Sequence, residues 1–209
     1  MSKLIGFMIL VLAMSFNAKA ESVNVTPVSD EAAVVETVNH VIYQSHIEAL
    51  ADANAAQGLN WHVGDRASYK LDGGFIKGTI ESFVREDTGS GFWMQQDANL
   101  GLFGKQKVEI LFNKADGQIQ KLLVNGKEQS VPTAGDVEVI EMKEDHIRVA
   151  AGEFDCIYVK IKDKKEGQVQ EAWINPGAVP MSGVIKSMSD TQLGKLTQEL
   201  TSFSFKFTR

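Results

Sequence analysis

The chain has one cysteine in 209 residues, Cys156, so no internal disulfide can form and stability must come from a packed core. It is also short of basic residues, with 21 Lys and Arg against 27 Asp and Glu. Residues 21–209 keep 19 of those bases and all 27 acids, a net charge of −8. That balance excludes nucleic-acid binding, which draws on clustered basic side chains. It equally disfavours simple electrostatic attachment to anionic lipid. No apolar run reaches the roughly 20 residues that a membrane helix needs.

The residues of catalysis are just as sparse. The four histidines are His40, His46, His62 and His146. His40 and His46 are too far apart for the i, i+4 pair of a zinc helix. His46-Ile47-Glu48 has a deaminase-like spacing, but no Pro-Cys-x-x-Cys follows it. No Gly-x-Ser-x-Gly, phosphate loop or dinucleotide fingerprint occurs, and Gly101–Lys105 fits neither glycine motif in context. Cys156 lies within an apolar stretch, where a thiol is a small core group rather than a nucleophile. The expectation is therefore no enzyme, no metal and no cofactor. At 44% hydrophobic residues the chain is nevertheless globular rather than disordered.

What is present begins with an export signal. Lys3 precedes the apolar run Leu4–Met14, and Ala18-Lys19-Ala20 puts small residues where a signal peptidase cuts. Cleavage is expected after Ala20, giving a periplasmic or secreted protein. Residues 21–29 read as a flexible leader and residues 30–209 as one domain. Val34, Val38, Val41, Ile42, Ile47 and Leu50 recur at helical spacing, which predicts a long helix over about 30–56. Ser29 or Asp30 caps it, and Gly58 stops it.

From Trp61 the period changes to two. Ala67, Tyr69 and Leu71 alternate with polar residues, as do Val108, Ile110 and Phe112. Turn signals recur, the clearest being Val124-Asn125-Gly126-Lys127. Their spacing predicts roughly ten strands, mostly antiparallel. Phe154–Ile161 is apolar at both parities, which predicts cover on both faces and assigns that cover to the helix. Leu196 and Leu200 have one parity, and Phe203, Phe205 and Phe207 the other. A bulge near Thr201-Ser202 would reconcile them. The expected fold class is thus mainly β (α+β), one long N-terminal helix packed in a curved half-barrel sheet.

Three apolar features stand out as candidate contacts for an apolar ligand or a partner. Phe92-Trp93-Met94 puts large side chains on both faces of one strand. Leu100–Gly104 places Leu102 and Phe103 in a hairpin tip, where polar residues are the norm. Trp173–Met181 is an apolar connection marked by prolines. Each can instead tuck under the sheet and close the core.

The stretches Val149–Cys156, Glu171-Ala172-Trp173-Ile174 and Pro180–Lys186 carry an Ala-Gly-x-Phe-x-Cys turn and strand, a Trp-bearing strand and a Gly-Val-x-Lys segment. This resembles a signature of bacterial periplasmic envelope proteins of unknown function. They are similar in architecture to the lipoprotein-carrier (LolA/LolB-like) superfamily. The resemblance implies a curved antiparallel sheet around a helix with an apolar cavity between them. It matches no specific carrier residue. The leading expectation is a non-catalytic envelope protein binding an apolar or lipidic group in that cavity, lipoprotein-like in kind. The alternative is a structural or protein–protein interaction module without a small ligand, its partner another envelope protein.

Overall fold

The computed structural model describes residues 59–74, 76–131, 137–164, 167–191 and 194–206. The signal, the cleavage site, the leader and the helix expected at 30–56 lie outside the described residues.

Eleven strands form one sheet: β1 (Arg66–Gly73), β2 (Ile76–Asp87), β3 (Gly91–Asn99), β4 (Lys105–Asn113), β5 (Ile119–Val124), β6 (Lys127–Gln129), β7 (Val137–Val149), β8 (Gly152–Asp163), β9 (Val169–Ile174), β10 (Val184–Thr191) and β11 (Gly194–Ser204). Their order is β6-β5-β4-β3-β2-β1-β11-β10-β9-β8-β7, antiparallel at every step. The chain makes two meanders, β1–β6 and β7–β11, joined along the β1–β11 seam. Asp65 strengthens that seam. Its buried carboxylate accepts the His62 N–H at 2.8 Å and the Lys206 N–H at 2.9 Å.

Local chemistry sets the turns. Asn125 (φ 50°) and Gly126 (φ 78°) fill the two-residue loop between paired Val124 and Lys127, as the Asn-Gly signal requires. The expected bulge is present. Ser68 pairs with Ser202 and Tyr69 with Leu200, so Thr201 is the extra residue, and its hydroxyl donates to the Ser68 carbonyl at 3.0 Å. The bulge returns Phe203 to the face that carries Leu200.

The α+β class is corrected. Among the described residues the only helical element is a three-residue 3₁₀ turn, Gly101–Phe103, and the structure is nearly all β. No described helix is long and apolar enough to cross a membrane. The double-sided burial of Phe154–Ile161 is corrected with it. Phe154, Cys156 and Tyr158 are buried, while Asp155 and Ile157 between them are exposed. The strand alternates as far as Tyr158, and on its second face Ile157 is exposed while Val159 and Ile161 are half-buried.

Segments without regular structure cover parts of the core. Trp61 packs on Phe92 and Phe112, with ring centroids 5.9 and 5.2 Å away. The 175–183 connection tucks in, burying Val179, Met181 and Ser182. The buried Tyr69 hydroxyl donates to the Val184 carbonyl at 3.2 Å, and burial raises its pKa. The sheet is bent at its far end. In a flat sheet β8 and β11 would lie about 14 Å apart, three spacings of ~4.8 Å. Yet the Phe154 and Phe203 ring centroids are 5.9 Å apart, and the Ala151 N–H reaches the Leu200 carbonyl at 3.3 Å. The tip of the β7–β8 hairpin is free to fold over because β9 pairs with β8 only from Ile157 onward.

Candidate interaction surface

The register defines the two faces of the sheet, because directly paired residues point the same way. One row runs Leu71, Gln198, Ser187, Ala172, Val159, Met142 across six strands. Leu71, Gln198 and Ser187 are fully buried, Ala172 and Val159 half-buried, and Met142 is 53% exposed. A second row runs Leu196, Ser189, Gln170, Ile161, Val139 and ends 37% exposed. A third runs Val184, Ile174, Ile157 and ends 41% exposed. The core-bearing face therefore continues toward the β7 edge, through the buried polar residues Gln198, Ser187, Ser189 and Gln170 to Val159, Ile161, Val139 and Met142, and reaches Glu144 beside Ile157; described residues do not close it there.

Among the described residues strand β7 ends the sheet, with a strand neighbour on one side only. It is the longest described strand, thirteen residues, of which nine are exposed. Its pairing with β8 shifts register between Val139 and Glu141, so Ile140 is a bulged residue, 49% exposed. The result is a strip of Val139, Ile140, Met142, Ile157, Val159 and Ile161 beside a backbone edge that no described strand pairs. Sequence reasoning passed over β7. The available signal was the parity break at Ile140 between Val139 and Met142, the same kind of break that located Thr201.

The opposite face at this end is closed by its own side chains. Lys143, Tyr158, Trp173, Lys186 and Glu199 form one cross-strand row. Lys143 Nζ stands 5.1 Å from the Tyr158 ring centroid, and Lys186 Nζ 5.6 Å from that of Trp173. The two rings are 5.0 Å apart. Trp173 Nε1 donates to Asp145 Oδ2 at 2.8 Å, which together with the His146 backbone N–H holds the Asp145 carboxyl below its usual pKa. The Tyr158 hydroxyl donates to Glu171 at 3.1 Å, and burial with that carboxylate pushes its pKa to about 12. Nearer the hairpin tip, His146 Nδ1 lies 2.8 Å from Asp155 Oδ1, and this carboxylate raises the imidazole pKa.

The six candidate contacts fall in three places. Phe92 and Met94 are buried on the core face of β3, with Lys114 Nζ 4.3 Å from the Phe92 centroid. Trp93, on the other face, is half-buried under the Arg85 guanidinium, 5.2 Å from its centroid, and Arg85 also pairs with the buried Glu109. At the opposite end of that strand the apolar tip splits. Leu100 is buried against β2, where Gly78 leaves room: a Cβ there would meet the Asn99 carbonyl oxygen at 2.3 Å. Phe103 is half-buried and Leu102 is 96% exposed. Trp173 sits in the aromatic row on β9. Cys156 is buried two residues from Tyr158, and burial with Asp145 and Asp155 raises its thiol pKa. Among the described residues no group of three or more His, Cys, Asp or Glu is placed to hold a metal.

The described residues thus form a single antiparallel sheet whose β1–β5 arm carries the buried core and whose β7 edge carries exposed apolar residues. No protein-family model matches the chain, and neither does any curated protein. Among solved structures, a chain of the Pseudomonas aeruginosa MucA/MucB complex is similar at 12% identity and a TM-score of 0.47, over 80% of this chain and 56% of that one. The Chlamydia trachomatis protein CT021 is similar at 8% identity and 0.46, over 72% and 91%. The Bacteroides fragilis protein BF2203, of YmcC-like fold, is similar at 10% identity and 0.37, over 70% and 98%. This chain spans little more than half the length of the first. These likenesses concern the sheet architecture alone, and nothing about the site is carried over from them.

Proposed function

We propose that this protein is a non-catalytic protein–protein interaction module of the bacterial envelope, and that it engages its partner along β7. The observation that carries this reading is the apolar strip at the sheet edge, where Val139, Ile140, Met142 and Ile157 are each more than a third exposed. A contiguous apolar patch beside an unpaired strand edge is unfavourable for a free protein and characteristic of a binding surface. The export signal read at Lys3–Ala20 supports the envelope location.

A photo-crosslinking residue at Ile140 tests the reading in the native host. Discrete protein adducts are expected, and they should disappear when Val139→Lys and Met142→Lys are added, with the melting temperature unchanged. Adducts indifferent to those two substitutions would overturn it. Stoichiometric binding of an apolar fluorescent probe, without any adduct, would favour the small-ligand alternative instead.

A further inference from the structure

We infer that the occupant of the β7 edge is an extended, basic-and-apolar segment of the partner, added beside β7 as a further strand. This rests on the interaction reading and deepens it. Strand addition draws its affinity from main-chain hydrogen bonds and its specificity from alternate side chains. Both elements are present. The outer edge of β7 has no strand neighbour among the described residues. On one face, Val139 and Met142, backed by Ile161 and Val159, offer apolar positions to two alternate residues of an incoming strand.

Charge decides the kind of segment. Strand β7 carries Glu138, Glu141, Glu144 and Asp145 against Lys143 and Arg148. Both bases are already engaged, Lys143 with Glu141 at 2.8 Å and Arg148 with Glu153. Glu138 and Glu144 make no ion pair among the described residues. A second copy of the chain would set this acidic edge against itself, and like charges placed opposite are destabilising. By register Glu138 stands on the face opposite Val139, and Glu144 on the face of Met142 and Ile157, so an apolar segment that carries lysines meets both features at once.

The test uses the full chain and two synthetic nine-residue peptides, one alternating valine with lysine and one alternating valine with glutamate. Calorimetric titration is combined with amide hydrogen exchange. The valine–lysine peptide is expected to bind one to one, about tenfold or more tighter than the valine–glutamate peptide. It should slow exchange of the β7 amides, and Val139→Lys with Met142→Lys should abolish binding while the melting temperature holds. Equal binding of both peptides would overturn the charge assignment. Binding without β7 protection would overturn the site. Slow β7 exchange before any peptide is added would place the occupant within the chain itself. A doubled mass that the two lysines restore to that of the monomer would make it a second copy. Should the peptide fail while Ile140 still yields protein adducts, the interaction reading stands and this inference falls; if both fail, both fall.

Discussion

The two arms of the sheet are built from the same alternation and end in different states. On β2–β5, Ile80, Val84, Met94, Ile110, Phe112 and Leu122 are all buried, and Trp61 lies over Phe92 and Phe112. On β7 and β8, Val139, Met142 and Ile157 continue the same face and are open to solvent. Burying an apolar side chain contributes roughly 25 cal/mol per Å² removed from water, so the first set stabilises the fold and the second contributes far less. Apolar residues that the fold does not use are the ones a partner can use.

Truncation should separate the arms most strongly. Phe112→Ala is expected to cost about 3–5 kcal/mol in urea unfolding, because it removes a fully buried ring and leaves a cavity under Trp61. Met142→Ala should stay within about 0.5 kcal/mol, as for other surface positions. A large loss at Met142 would mean that the open edge is covered and would erase the contrast.

The apolar tip offers the same comparison within one hairpin. Leu100→Ala should cost about 2–5 kcal/mol, in the range of buried leucine truncations. Leu102→Ser, only two residues on, should cost less than about 0.5 kcal/mol because its side chain is already in water. Similar losses at both positions would show that the tip closes the core as one unit.

The smallest effect concerns the hairpin tip. Because Asp155 raises the His146 pKa in the folded state, the pair stabilises fully below the ordinary histidine value of 6.5 and weakens as pH rises through the raised value. An NMR titration should place His146 above 6.5, and Asp155→Asn should bring it down. An unchanged midpoint in Asp155→Asn would remove the pair from the account of the tip.

Much of the local structure was legible in the chain. Asn125-Gly126 announced its hairpin because only residues tolerant of positive φ suit that turn. The opposed parities of Leu200 and Phe203 announced the bulge at Thr201 because a strand has a fixed period of two. Phe154–Ile161 was misread for an equally physical reason. Apolarity on two faces predicts burial of both, and it does not tell whether any segment of the chain covers the second. Leu100 and Leu102 posed the same difficulty, since a hairpin tip has no period that distinguishes its buried leucine from its exposed one.

Composition and periodicity by themselves pointed to a helix-containing class that the nearly all-β structure corrects, but determined a disulfide-free, acidic chain with an antiparallel sheet, the Asn125-Gly126 turn and the Thr201 bulge. These depend on neighbours close in sequence and on backbone dihedral limits. Only the tertiary structure decided that β1 and β11 meet at the centre, that β7 lies at an edge, and that its apolar residues face solvent. Strand order brings together residues more than a hundred positions apart, such as Ser68 and Thr201, and the alternation within any one strand reads the same whether that strand lies at the centre of a sheet or at its rim.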